Sequence, residues 1–337
     1  MTLKTKSDRV GCSLSLLRFM MVAVIACMGF AHGAERSTKE IQEARTRFES
    51  AGAGYRQTLM KVADVSEVER DALGDVKFVY ELSSLPDVQS IRQFGQRRVA
   101  VSDGWMSLME EVILADRAAF RWGAEECFVS FVQHALSVVR TNRERRSERE
   151  PNFAYVPRFE AYAKDVDRKE CSSLRQANLR AKEVGNEVRG GVDAALAWII
   201  GRELALQLNP RDMTPAVPPG ARADTGDSET SSQTAKNRMN MGEARCRIKQ
   251  AERISVLRAG QMRLNLLPGY VAVVVHEAIF GDEGDPKNCA GERSRLDVFF
   301  DLLRVSDGSL DHAGQTMDIE DARLDAKSLQ ERLGISK

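Results

Sequence analysis

The sequence predicts an α+β protein that is mainly helical and carries one small β element. Over most of the chain, apolar residues recur three, four and seven positions apart, which is the spacing of a helix with one buried face. Only one short stretch reads as a strand. Of the 337 residues, 43% are hydrophobic and 29% are charged. This is the balance of a soluble globular protein rather than a disordered or multi-span membrane chain.

The first 34 residues are expected to form a signal peptide. Four basic residues lie within 1–18, and thirteen residues without a charge follow at 19–31. That run is too short to span a bilayer as a helix. The run ends in the small residues of Ala31-His32-Gly33-Ala34, which are typical of a signal-peptidase cleavage site. We therefore predict a periplasmic or secreted protein that begins near residue 35.

An alternative leader remains open. Val24-Ile25-Ala26-Cys27 resembles the lipoprotein box of bacteria, in which the cysteine is lipidated and becomes the new N-terminus. Membrane attachment is expected only if Cys27 is modified in this way.

The mature N-terminal part, 35–208, is expected to begin with helices and then a strand. Over 36–75 the helical spacing involves Ile41, Phe48, Tyr55, Leu59 and Val62. Residues 98–102 read as a short strand that ends in a turn at Asp103-Gly104. Helical spacing then returns at 105–121 and 127–140.

The most apolar helix predicted in the mature chain covers 192–208, after Gly190-Gly191 and before Asn209-Pro210. Because it is apolar nearly all round, we expect it to be central and buried. Residues 209–240 are rich in Pro, Gly, Ser, Thr and Asp, so we expect a flexible linker or loop. The C-terminal part, 241–337, is expected to be helical again.

Four cysteines follow the leader: Cys127, Cys171, Cys246 and Cys289. An even number in an exported chain indicates disulfides, and four cysteines allow three pairings. We favour Cys127–Cys171 and Cys246–Cys289, because each pair lies on one side of the predicted linker. None of the four has a histidine at the spacing of a zinc site.

A nucleic-acid partner is not expected. The 49 basic and 49 acidic residues cancel, whereas a DNA- or RNA-binding domain carries a basic face. The charge-dense run at 140–150 interleaves acids with bases and contains no aromatic residue. Such a run is typical of a solvated helix end.

The central helix carries the sequence Ile200-Gly201-Arg202-Glu203-Leu204-Ala205-Leu206. This string resembles the Gly-His-Glu-Leu-Ala-His motif of gluzincin-type zinc metallopeptidases, including the HtpX-like and exported minigluzincin-like groups. In such a motif, histidines at i and i+4 on one helical face bind zinc, and the intervening Glu is the general base. Arg202 and Leu206 stand at the two histidine positions, and Glu203 stands at the position of the base.

Four further segments extend this resemblance over about residues 90–305. Residues 98–109 resemble the strand and helix before the zinc helix, 193–201 resemble the approach to the motif, 243–248 resemble the segment of the third ligand, and 257–260 with Leu267-Pro268 resemble the end of that helix. Glu243 stands at the position of the third ligand, although the family's Asp four residues later is Arg247. An alternative register places the third-ligand segment at 292–297, and we prefer Glu243 because 257–260 then matches as well. The resemblance requires a helical insertion at 113–190, which contains Cys127 and Cys171. It implies a zincin-like helical domain.

The departures from the family imply an inactive protein, a pseudoenzyme without a cofactor. Arg has no lone pair for a metal and Leu has no donor atom, so two carboxylates would remain, too few for a tetrahedral zinc site. We expect the Arg202 guanidinium to take the place of zinc by bridging Glu203 or Glu243. We expect Leu206 to fill the volume of the second histidine with core packing.

The expected function is to bind a peptide or protein partner. Two alternatives stay open: an active zinc-dependent hydrolase whose ligands lie elsewhere, and an unrelated helical binding module stapled by disulfides. The absence of a strand beside 192–208, together with a large distance between Glu243 and Glu203, would favour the unrelated module.

Overall fold

The structure is a computed structural model, and it describes residues 36–63, 65–93, 95–147, 156–208, 250–280, 295–306 and 319–335. The predicted class, a mainly helical α+β protein with a small β element, is confirmed for these residues. The elements follow in the order α1 (Thr38–Leu59), α2 (Glu67–Gly74), β1 (Val76–Glu81), β2 (Val88–Gln93), β3 (Gln96–Ser102), α3 (Asp103–Trp122), α4 (Glu125–Ser147), α5 (Phe159–Lys164), α6 (Lys182–Leu208), α7 (250–261), α8 (Tyr270–Phe280), α9 (Arg295–Ser306) and α10 (Ile319–Arg332). Short 3-10 turns cover Lys169–Leu174 and Leu267–Gly269.

The sheet has three strands in the order β1-β3-β2. β1 runs parallel to β3, whereas β2 is antiparallel to β3 and joins it through a tight turn. Gly95 lies in that turn with a φ of 77°, a left-handed conformation that favours glycine. The sequence analysis identified only β3. β2 was missed because four of its six residues are polar, so it lacks an apolar run like Val99-Ala100-Val101 of β3. β1 was missed although it contains the apolar run Phe78-Val79-Tyr80.

Strand β3 ends at Ser102, as predicted, but the turn predicted after it is wrong. Asp103 and Gly104 form the first turn of α3 rather than a separate turn. Ser102 is the N-cap, because its hydroxyl accepts the Trp105 N–H at 3.1 Å and donates to the Leu85 carbonyl at 2.7 Å. A Cβ on Gly104 would lie 2.3 Å from the Ser84 carbonyl oxygen. This glycine therefore lets the segment between β1 and β2 cross the start of the helix.

Helix α6 is central and buried, as predicted, but it begins ten residues earlier, at Lys182. Gly190 and Gly191 lie inside it rather than before it. At Gly191 a Cβ would approach Ile113 Cγ2 to 2.7 Å and the Pro268 carbonyl to 3.1 Å. The glycine thus allows α3 and the turn before α8 to pack closely on α6, and this packing outweighs the low helix propensity of glycine.

The predicted disulfide Cys127–Cys171 is confirmed, with the two Cα atoms 4.8 Å apart. It ties the first turns of α4 to the 3-10 turn before α6, and both cysteines are fully buried. The two cysteines are 44 residues apart, and a closed loop of this size stabilises a fold by roughly 4 kcal/mol in the chain-entropy model.

Several other predictions fall outside the described residues. They concern the leader at 1–34 with Cys27, the linker at 209–240, the pair Cys246–Cys289 and the proposed ligand position Glu243. Among the helices that the structure describes, none has both the length and the apolar character needed to cross a membrane.

Candidate functional site

Helix α6 carries two charged side chains into the protein interior. Arg202 is 7% exposed and Glu203 is 2% exposed, while their neighbours Ile200 and Leu204 are fully buried. A charge removed from water in this way is costly unless it is paired and hydrogen-bonded. The contacts of Arg202 therefore determine whether this part of the core is stable.

The Arg202 guanidinium lies between two carboxylates. Its Nη1 donates a hydrogen bond to Glu203 Oε1 at 2.5 Å. On its other side, Nε lies 3.3 Å from Oε1 of Glu252 in an ion pair. Glu252 belongs to α7 and is 8% exposed. One cation is thus shared between an acid of its own helix and an acid of a neighbouring helix.

Burial raises the pKa of Glu203 to about 7. The positive charge of Arg202 lowers this pKa, whereas the negative charges of Glu252 and Asp87 raise it. The protonation of this carboxyl group therefore changes near neutral pH, which is uncommon for a glutamate and typical of buried acids near other acids.

Strand β2 lies beside this part of α6. The Ser90 hydroxyl on β2 donates to the backbone carbonyl of Glu203 at 3.2 Å. One turn further along α6, the Gln207 amide donates to Ser90 Oγ at 2.7 Å and to the carbonyl oxygens of Ile91 and Arg98 at 3.1 Å. These hydrogen bonds fix the position of β2 along α6 next to Arg202 and Glu203. A strand thus stands next to the helix at 192–208.

The prediction for Leu206 is wrong. Leu206 was expected to pack into the core in place of the second histidine, but it is only half-buried and does not belong to the apolar core of the described residues. The described elements enclose this face of α6 at Arg202, where α7 supplies Glu252, and they cover it less completely one turn later.

The sequence analysis did not identify Glu252 as part of the site. A signal for it exists, because helical spacing places Glu252 on the same face as Ser255, Val256 and Ala259, all of which are buried. An acid on the buried face of a helix needs a partner, and Arg202 supplies a cation 3.3 Å away.

A pocket of about 210 Å³ opens next to the charged pair, on the side of α6 that faces α1 and α7. Its lining includes Tyr55, Gly201, Ala205 and Arg258. A Cβ on Gly201 would lie 2.3 Å from the Tyr55 hydroxyl and 2.5 Å from Ser255 Oγ. Glycine at this position therefore leaves room for the two hydroxyl groups between the helices.

The donor set around Arg202 does not fit a zinc ion. Arg202 and Leu206 offer no lone pair, which leaves Glu203 and Glu252 as two oxygen ligands, and zinc sites take at least three protein ligands. No group of three His, Cys, Asp or Glu suited to a metal occurs in the described parts of the chain. His276, which packs against Trp198 of α6 and against Phe280, is 2% exposed.

In comparisons with known proteins, no family model, no curated protein and no solved structure matches this chain. The gluzincin resemblance therefore remains a prediction.

The raised pKa of Glu203 predicts a pH-dependent stability. Its folded-state pKa of about 7 exceeds the ordinary value of 4.5. The protonated carboxyl therefore contributes stability that is complete below pH 4.5 and is lost as the pH rises through about 7. We expect Glu203→Gln to lose less free energy of unfolding than the wild type between these two pH values, measured by urea denaturation.

Glu183→Gln is the matched control, because Glu183 is an exposed acid on the same helix. It should follow the pH profile of the wild type. If Glu203→Gln also followed that profile, the titration would not belong to Glu203.

Proposed function

We propose that this protein is an exported, non-catalytic relative of the gluzincin peptidases that binds a peptide or protein partner. The observation that carries the proposal is the guanidinium of Arg202, paired with Glu203 and Glu252 at the position where the family's first zinc-binding histidine would stand. Export rests on the predicted signal peptide at 1–34. In the alternative, the leader is cleaved before Cys27, which is then lipidated and anchors the exported protein to a membrane.

The arrangement around Glu203 supports a loss of hydrolytic chemistry. In a zincin the general-base glutamate takes a proton from a metal-bound water. Here the Glu203 carboxylate is 2% exposed and its Oε1 accepts a hydrogen bond from Arg202, so this oxygen is already engaged by a cation. The described residues also provide no group of three side chains that could bind a metal ion in the role of zinc.

The position of β2 supports a binding role. Among the described strands β2 is at the edge of the sheet, since β3 pairs with it on one side only. Gln93 and Gln96 form the closing pair of the hairpin. Arg92, in the next pair, and every second residue before it therefore direct their N–H and C=O groups away from β3. An extended peptide can add to such an edge as a further strand. It would then lie beside Ser90 and the Arg202–Glu203 pair.

Restoring the zinc ligands tests whether the site has the geometry of a gluzincin. We expect the double variant Arg202→His/Leu206→His to bind zinc stoichiometrically, measured by calorimetry and elemental analysis, whereas the wild type binds none. Glu252 would complete the site, because its Oε1 is 3.3 Å from the Arg202 side chain and two ligand atoms on one zinc ion are roughly 3 Å apart.

The triple variant that adds Glu252→Gln is the control and should bind zinc much more weakly. A folded double variant without zinc affinity would favour the unrelated disulfide-stapled module. Stoichiometric zinc in the wild type would instead favour an active hydrolase with ligands elsewhere.

A proline on β2 tests the binding role. Fluorescent, permanently unfolded casein serves as a source of extended peptide, and its binding is followed by anisotropy. We expect Arg92→Pro to weaken binding several-fold, because proline removes one outward N–H, while an exposed edge strand tolerates the ring.

Arg92→Gln is the matched control, because it removes the same charge and keeps the N–H, and it should bind like the wild type. Equal binding by Arg92→Pro and the wild type, or no binding of casein by the wild type, would contradict peptide addition to β2.

A further inference from the structure

A larger cavity, of about 370 Å³, lies away from the Arg202 site, between α3, α4, α8 and α10. Helix α6 contributes no residue to its lining. Its volume lies in the range of pockets that hold small organic molecules. The Cys127–Cys171 disulfide ties down the first turn of α4, which supplies Phe128 to its lining.

The walls of this cavity are aromatic and apolar. Phe128 from α4 and Tyr270 from α8 are buried, whereas Phe120 from α3 is 77% exposed and lines the cavity as well. Aromatic ring faces attract both apolar groups and cations. Phe120 therefore offers an accessible aromatic ring at the rim of the cavity.

The polar groups of the cavity are mostly acidic. Asp116 is 8% exposed, accepts a hydrogen bond from the Tyr270 hydroxyl at 3.3 Å, and has Arg117 Nε 3.5 Å from its other oxygen. Asp325 on α10 also lines the cavity, and no basic side chain of the described residues forms an ion pair with it. Burial raises the pKa of both Asp116 and Asp325, and neighbouring acids raise each of them further.

The basic residues near the cavity are already engaged. Arg332, which lines it, donates to Glu125 at 2.8 Å and to Glu126 at 2.5 Å. Arg117 also donates to the Pro268 carbonyl at 3.0 Å. Four acids therefore face two arginines in this region, and Asp325 is left without a counter-charge from the described residues.

We propose that this cavity binds a small organic cation, an amine that carries an apolar group. The ammonium group would lie against Asp325 and Asp116, and the apolar group would lie against Phe120, Phe128 and Tyr270. A metal ion fits less well, because the described residues contain no group of three metal-ligating side chains and the cavity walls are largely apolar.

Benzylamine, which is an ammonium ion at neutral pH, is the probe, and benzyl alcohol is its neutral counterpart of similar shape. Both are titrated by calorimetry into the full chain with its disulfide intact. We expect benzylamine to bind about tenfold more tightly than benzyl alcohol, because only the ammonium group pairs with the acids.

Asp325→Asn should remove most of this preference for the amine, and the exposed position of Asp325 makes a folding defect unexpected. Phe120→Ala, also at an exposed position, should weaken the binding of both compounds. Asp167→Asn, which changes an exposed acid outside the cavity, should bind like the wild type. Equal affinities for the two compounds, undetectable binding of benzylamine, or an unchanged preference in Asp325→Asn would each overturn the proposal.

Discussion

A guanidinium that is buried within an apolar helical core has to be neutralised where it lies. Arg202 is held by a hydrogen bond to Glu203 and by an ion pair to Glu252, and all three residues are at most 8% exposed. The surrounding elements are arranged to make these contacts. Helix α6 supplies two of the charges and α7 supplies the third. The arrangement costs desolvation energy, which the paired geometry offsets only as long as every partner is present.

This constraint links the fold to the proposed function. A carboxylate that serves a guanidinium is not free to serve a catalytic water, so the stabilising contact and the hydrolytic role of Glu203 exclude each other. The bonds from Ser90 and Gln207 then place an edge strand next to the inert pair. In the proposed function, the chain would keep the binding role of a peptidase and lose its hydrolytic chemistry. The acidic cavity between α3 and α10 is a separate feature, because no residue of α6 lines it.

The sequence predicted those parts of the molecule that depend on strong local patterns. The buried helix α6 follows from its continuous apolar run, and the disulfide Cys127–Cys171 follows from export and from the position of the linker. Strand β2 could not be predicted in this way, because four of its six residues are polar and it has no apolar run. Strand β1 carries a run of only three apolar residues, too short to separate a strand from the end of a helix by periodicity alone. Glu252 was missed because its importance depends on which helix packs against α6, and this is a tertiary contact. Leu206 was misjudged for the same reason, since burial of one turn does not guarantee burial of the next.

The most direct test of the account is whether the charges at this site compensate one another. Arg202→Met alone should lower the free energy of unfolding by about 3–5 kcal/mol, because two buried acids lose their cation. Arg189→Met, at an exposed position on the same helix, should change it by less than about 0.5 kcal/mol. The triple variant Arg202→Met/Glu203→Gln/Glu252→Gln should recover most of the stability that Arg202→Met loses. A triple variant at least as unstable as Arg202→Met, or an Arg202→Met variant as stable as the wild type, would contradict the account.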